Sequence, residues 1–268
     1  MLFTYYDTET SGKEKDCDVL SFSYMLADEN LRVERAETLY FWKEGRTKWT
    51  QDAYKVHGLS KEFLRQFEAD YETNLRKMYI ILSKAELVGW NSGRLNDKKE
   101  IVGFDFVVCR NFLQRNGFPA PYGSTLHDAM ILYSSWKHRR WTKLVLATEL
   151  EEISPALIEA YVSGYFGAKG TGAHNSAYDT VCTAMLFAKI CAAGYVYGDN
   201  TESGPTGPTP DMAGWRVDMV DWMLKVGEDG ALHAYSEFSG EDYALSDFSV
   251  KFPLVYKRIM ENPAQYLQ

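Results

Sequence analysis

Apolar and aromatic residues open the chain in three short runs, Leu2–Asp7, Val19–Ala27 and about Val33–Trp42. The polar stretch Asp28-Glu29-Asn30-Leu31 joins the second run to the third, so the pattern predicts an antiparallel meander built on the first strand. Beyond it the hydrophobic period lengthens. Trp49–His57 predicts a short helix stopped by Gly58. Ser60, followed by Phe63, Phe67, Tyr71, Leu75, Met78 and Leu82, predicts a single helix through about Ser83. Glu86–Trp90 reads as a short strand closed by the turn Asn91-Ser92-Gly93. A polar segment through Gly103 then leads into a helix, Phe104–Asn116, ended by Gly117 and Pro119. Thr125–His127 predicts a strand running into a helix near Asp128. Further helices are predicted at Thr142–Glu149, at Pro155–Phe166 with Pro155 in the first turn, and at His174–Tyr195. Strands first, then helices between later strands, predict an α/β fold on a mixed sheet.

The pattern fades between Asp199 and Gly214, where Gly204-Pro205-Thr206-Gly207-Pro208 and Pro210 predict a linker or loop. After it, Trp215, Trp222, Tyr235, Phe238, Phe248, Phe252 and Tyr256 supply enough apolar surface for a small packed appendage over residues 215–268. The first domain is expected to span residues 1–198.

Composition narrows the class. At 268 residues, 46% hydrophobic and 25% charged, the chain is long enough for one large domain with an appendage. The opening apolar run is short and followed by acids, and no later run suits a membrane span, so a cytoplasmic protein is expected. Cys17, Cys109, Cys182 and Cys191 form no CxxC pair, which argues against a structural zinc site or a disulfide framework. The net charge of −8 is uneven: residues 201–268 hold 11 acids and 5 bases, while residues 1–200 hold 26 and 24. The larger part is therefore close to neutral and carries local basic clusters.

Against this background the acids at Asp7 and Glu9 stand out. They sit at i and i+2 at the end of an aromatic strand, just before a Ser-Gly turn, so both can point into one space. Two neighbouring carboxylates repel unless a cation lies between them. A divalent metal is one answer; acids flanking a solvated turn are another. Asp105 lies one residue into a helix, where the helix dipole already favours an acid, yet Phe104, Phe106, Val107 and Val108 surround it. His174 and Asp179 stand five positions apart at the start of the Ala-rich helix. A histidine there can be a cap or a surface residue, whereas Asp179 among Ala177, Val181 and Ala184 needs a compensating partner.

Taken in order, these motifs resemble the DEDDh exonucleases, the group containing bacterial polymerase proofreading subunits and oligoribonuclease-like enzymes. Tyr6-Asp7-Thr8-Glu9 resembles the first family motif. Gly89-Trp90-Asn91 followed by Phe104-Asp105 resembles the second, and His174-Asn175-Ser176-Ala177-Tyr178-Asp179 the third. Ala53–Leu59 resembles a further family stretch. Coverage runs from about residue 1 to 195. Two departures are visible: Trp90-Asn91 stands where the family commonly has His-Asn, and twelve residues, Ser92–Gly103, stand where it usually has two.

The resemblance implies a ribonuclease H-like mixed sheet flanked by helices, with Asp7, Glu9, Asp105 and Asp179 as ligands of two Mg²⁺ or Mn²⁺ ions and His174 as general base. It implies 3′→5′ hydrolysis of single-stranded nucleic acid, DNA favoured and RNA left open, to nucleoside 5′-monophosphates, in a replication, repair or degradative role. Hard carboxylate oxygens suit such ions, and two of them about 3.5–4 Å apart can activate water and stabilise the leaving oxygen. Thr10, Ser11, Gly12 and Asn91 are the implied substrate contacts. A second substrate path is suggested by Trp136, Arg139, Arg140 and Trp141, where cations can neutralise phosphates and rings can stack on bases. The same run also reads as a solvated helix end with its tryptophans packed inward. Arg94, Lys98 and Lys99 could form another phosphate-contacting patch, or a solvated loop. The alternative is a catalytically weak nucleic-acid or polymerase-binding module on the same fold, with the acidic appendage meeting a replication partner.

Overall fold

A computed structural model describes residues 2–83, 85–95, 101–121, 124–138, 141–167, 175–194, 222–227, 230–236, 242–251, 256 and 259–260. The chain divides into two compact units, Met1–Met130 with Lys143–Cys191, and Ile131–Thr142 with Ala192–Gln268.

The first unit is built on five strands: β1 (Leu2–Thr10), β2 (Val19–Asp28), β3 (Val33–Tyr40), β4 (Glu86–Gly89) and β7 (Thr125–Asp128). Their order is β3-β2-β1-β4-β7. The first three form the expected antiparallel meander, while β4 runs parallel to β1 and β7 parallel to β4. The mixed α/β sheet is thus present, with β1 at its centre. Because side chains alternate along a strand, β1 serves two layers at once. Phe3 and Tyr5 pack on Phe187 of α8 (Ser176–Ala192), with ring centroids 5.0 and 5.8 Å apart. Tyr6 joins the opposite layer, a cluster with Leu75, Met78 and Leu82 of α3 (Tyr71–Leu82) and Phe106, Cys109 and Phe112 of α4 (Asp105–Arg115).

The helix expected from Ser60 to Ser83 is broken. Ser60 caps a five-residue helix, α2 (Lys61–Arg65), a 3-10 turn follows at Glu68–Asp70, and α3 starts afresh at Tyr71. The apolar spacing continues across the break, but its two halves face different partners. Phe63 and Phe67 pack on Tyr40, the first edge-on, whereas Tyr71, Leu75, Met78 and Leu82 enter the main core. The shorter helix before it, α1 (Gln51–His57), is capped by Thr50 and ends on Gly58 with φ 71°, as its sequence predicts.

Residues 92–103 begin and end as a hairpin, β5 (Arg94–Leu95) against β6 (Ile101–Val102); Lys98 and Lys99 lie outside the described residues. Gly103 closes it at φ 117°, where a Cβ would meet the Gly93 backbone and the Ser92 carbonyl at 2.8 Å. Next to this crossing, Phe104 N–H donates to Asn91 O and Phe106 N–H to Ser92 O, so the hairpin base and the first turn of α4 are one structure. Further along come α5 (Ala129–Lys137), α6 (Leu144–Leu150) and α7 (Pro155–Tyr161). The chain widens into a π-turn at Val162–Phe166, which packs against β3 and covers that sheet edge.

The second unit holds a three-stranded antiparallel sheet, β8 (Trp222–Val226), β9 (Leu232–Ser236) and β10 (Asp242–Ala244), and α9 (Leu245–Lys251). Its core is Leu224, Ala234, Phe248 and Ile259. Ile131–Thr142 group with this unit although they lie inside the first 198 residues. The Gly/Pro-rich segment 199–214 lies outside the described residues. All four cysteines are free, with Cys17, Cys109 and Cys182 buried. No helix among the described residues is long and apolar enough to cross a membrane.

Candidate metal centre

At the end of β1, Asp7, Glu9 and Asp179 each present a carboxylate oxygen within 4.8 Å of the others. Two neighbouring strands and one helix create this meeting. The β1–β2 register sets Ser23 opposite Asp7 and Ser21 opposite Glu9. Both hydroxyls reach Ser176 Oγ in the first turn of α8, at 2.8 and 2.9 Å, and Thr180 Oγ1 donates to Ser176 O at 2.6 Å. All four residues are buried. Asn175 caps the helix by accepting from Ala177 N–H, and Asp179 N–H bonds to Asn175 O. Small hydroxyl residues therefore let α8 approach the sheet closely and deliver Asp179 one turn in. In sequence Ser21 and Ser23 look like ordinary strand polarity. Their signal is the i, i+2 pair of small residues inside an otherwise apolar strand.

Asp105 belongs to the same electrostatic group but arrives from the opposite layer, at the start of α4. Thr8 Oγ1 donates to its Oδ1 at 2.5 Å, and it is not among the three acids whose oxygens cluster. A further buried acid was not singled out by sequence. Asp128, at the end of β7, accepts from Asn91 N–H and from Arg94 Nη1, each at 3.0 Å. Asn91 itself sits at φ 56°, a conformation asparagine tolerates better than most residues. Asp128 thereby fixes the turn leading into the hairpin.

Burial and mutual repulsion raise the acids. Glu9 is pushed well above the ordinary carboxylate range by burial and then by Asp179 and Asp105. Asp7 is raised by burial, then by Asp105, Asp179 and Glu9. Asp105 is pushed up to about 7, chiefly by burial and against the Thr8 hydrogen bond. The charged neighbours that raise Asp7 and Glu9 are all carboxylates. A cluster of hard oxygen donors whose charges repel one another is what a divalent cation complements, so these residues fit such an ion.

This gives a signed pH dependence. In the metal-free protein the raised acids hold protons in the folded state across a window where the unfolded chain has lost them. The window runs from the usual carboxylate range up to about pH 7 for Asp105. Their contribution to stability therefore falls as pH rises through it. A divalent cation such as Mn²⁺ would bind the acids in their deprotonated form, so the rise in Tm on adding Mn²⁺ is expected to grow between pH 5 and pH 8. Paired thermal scans with and without metal check this; a rise that stays constant with pH would contradict it.

The other residues singled out from sequence fall elsewhere. Thr10 Oγ1 donates to Gly12 O at 2.7 Å, and Ser11 Oγ accepts from Asp18 N–H at 2.9 Å, so both hydroxyls hold the turn that follows Glu9. Thr50 Oγ1 ties α1 to Ser11 O at 2.9 Å. Trp136 and Trp141 lie in the second unit. Lys137 Nζ stands 3.6 Å over the Trp136 ring, and Trp141 is exposed. His174, Arg139 and Arg140 lie outside the described residues.

No family model matches the chain, and no curated protein matches its sequence significantly. Solved structures do match. Escherichia coli exonuclease I in complex with a dA16 oligonucleotide aligns at TM-score 0.51 and 18% identity, over 72% of this chain and 41% of that one. The same enzyme with a dT13 oligonucleotide aligns at TM-score 0.52 and 14% identity, over 91% and 55%. A moderately thermophilic exonuclease I from Methylocaldum szegediense aligns at 0.50 and 17%, over 73% and 43%. The chain spans roughly half or less of these proteins' own length, between 41% and 55%. With its central β1, antiparallel meander and parallel β4 and β7, the chain has the ribonuclease H-like fold of the exonuclease I proteins.

Proposed function

We propose that the protein is a metal-dependent 3′→5′ exonuclease that shortens single-stranded nucleic acid, DNA in the first place, to nucleoside 5′-monophosphates. The observation that carries this reading is the convergence of Asp7, Glu9 and Asp179 within reach of one cation, on a fold shared with exonuclease I. The oligonucleotide complexes of those proteins support a single DNA strand as substrate.

In this reading Asp7, Glu9 and Asp179 hold Mg²⁺ or Mn²⁺, and Asp105, oriented by Thr8, completes a site for two ions. When bound, such ions lower the pKa of an attacking water and offset the charge that builds on the phosphate. His174, two residues before α8, accepts the proton of that water; an imidazole, with an ordinary pKa of about 6.5, is suited to the task near neutral pH. The turn at Thr10, Ser11 and Gly12, together with Asn91, borders the strand end. Trp136, Arg139, Arg140 and Trp141 are further candidates for contacts to nucleic acid.

The test is release of mononucleotides from a 5′-labelled single strand. Wild-type protein is expected to shorten the strand stepwise with Mg²⁺ or Mn²⁺ and to be inert with EDTA. His174→Ala is expected to keep the Mn²⁺-induced rise in Tm and to cleave ~10²–10⁴-fold more slowly, the usual worth of a general base. A metal-loaded protein that binds the strand and leaves it full length would be a binding module instead. An unchanged rate and pH profile in His174→Ala would remove the histidine from the mechanism.

A further inference from the structure

Asp179 faces more than the carboxylate cluster. It also lines a cleft of about 420 Å³ whose other walls are α6, the turn from Glu152 to Pro155, and Tyr178 and Cys182 of α8. That volume lies within the range of small-molecule sites, ~300–1,000 Å³. Leu144, Val145, Ile153, Pro155 and Tyr178 make the walls apolar, a surface suited to a flat ring. Glu149 and Glu152 join Asp179 as the charged groups lining it. Thr148 donates its hydroxyl to Leu144 O at 2.8 Å, so it is already engaged. Glu152 is held at φ 54°. It ends α6 there, its N–H donating to Glu149 O and Ile153 N–H to Thr148 O, the usual left-handed helix stop, which fixes Glu152 and the turn at the cleft rim.

A lining with three carboxylates disfavours phosphate and favours hydrogen-bond donors, while the Ser154 and Tyr178 hydroxyls can meet an acceptor beside them. Its ligand must then be apolar on its faces and carry N–H groups on its edge. Of the parts of a nucleotide, the base alone meets both conditions, and cytosine N4 is a natural donor to a glutamate. We propose that this cleft receives a nucleobase of the strand whose phosphate lies at Asp7, Glu9 and Asp179, and that it favours cytosine over thymine. The proposal rests on the nuclease reading, because it takes that strand to be the substrate.

The experiment measures binding of dCMP and dTMP to the full chain with Mn²⁺, for wild type, for Val145→Trp and for the pair Glu149→Gln with Glu152→Gln. Val145 is 43% exposed, so a tryptophan there can fill the cleft without entering the core. Wild type is expected to bind dCMP about tenfold more tightly than dTMP, the scale of one good base contact. The paired glutamine variant is expected to bring that ratio near one. Val145→Trp is expected to weaken both ligands about tenfold or more, leaving the Mn²⁺-induced rise in Tm unchanged. Unaltered affinity in Val145→Trp, or a dCMP/dTMP ratio that the glutamines do not move, overturns the cleft. If the tryptophan lowers the Tm of the metal-free protein, the glutamine pair decides alone. Strand cleavage separates the two readings. A protein that cleaves equally well with and without Val145→Trp keeps the nuclease and loses the cleft. One that shows the expected dCMP binding and shortens no strand keeps the cleft and loses the nuclease.

Discussion

Asp7→Asn is expected to make the metal-free protein more stable and the metal-loaded protein inactive. Asp7 is raised by burial and by three other acids, Asp105, Asp179 and Glu9. A neutral amide of nearly the same shape removes that repulsion at neutral pH. A gain of about 1 kcal/mol corresponds to a rise in Tm of ~2–4 °C for a chain of this size. The same change removes a ligand. Loss of partners that merely orient ligands already costs ~10–100-fold in metal affinity or activity, so nuclease activity should fall by more than ~100-fold. The rise in Tm that Mn²⁺ confers on wild type should shrink or vanish. Thermal scans with and without Mn²⁺, alongside the strand assay, check both halves. A variant less stable than wild type without metal would mean that the Asp7 carboxylate makes a stabilising contact that outweighs the repulsion.

Gly103→Ala is the second large effect, and it runs the other way. The added methyl meets backbone atoms of Ser92 and Gly93 at 2.8 Å, which no rotamer change relieves, at a φ of 117° that side chains avoid. Backbone strain and overpacking each cost ~1–3 kcal/mol, so a loss of about 3 kcal/mol is expected. The damage should also reach the site. Phe104 and Phe106 hang their first-turn hydrogen bonds on Asn91 and Ser92, so a displaced hairpin base moves the start of α4 and with it Asp105. Chemical denaturation measures the first effect and Mn²⁺ titration the second. A variant as stable as wild type would show that the crossing at Gly93 and Gly103 is looser than these contacts imply.

Local signals made much of this legible. The meander of β1–β3, the start of α4 and the body of α8 follow from alternation, helical spacing and turn residues, because each is decided by contacts close in sequence. Asp7 and Glu9 share a face through strand geometry alone, and Asp179 on an apolar helix announced its need for a partner. What escaped was set by distant contacts. The break after Gln66 is invisible because Phe67 and Tyr71 keep helical spacing while packing on different surfaces. Ser21, Ser23 and Ser176 look like ordinary polar positions until the sheet and α8 bring them together. Asp128 reads as a turn acid until Arg94 and Asn91 close on it from 34 and 37 positions away. The grouping of Ile131–Thr142 with the C-terminal unit has no local signal at all.

The hydroxyl contact between β2 and α8 bears on which cation the proposed centre accepts. Oxygen ligands stand at ~2.0–2.1 Å from Mg²⁺ and ~2.3–2.6 Å from Ca²⁺, so a few tenths of an ångström in ligand spacing separate one ion from the other. Asp7 and Glu9 sit on β1 and Asp179 on α8, and α8 is held to the neighbouring strand β2 by the hydroxyls of Ser21, Ser23 and Ser176. If the proposed centre holds a cation, those serines would help set the spacing of its ligands. A bulkier residue at Ser21, Ser23 or Ser176 would widen the gap and shift the centre toward larger ions, changing selectivity without touching a single ligand.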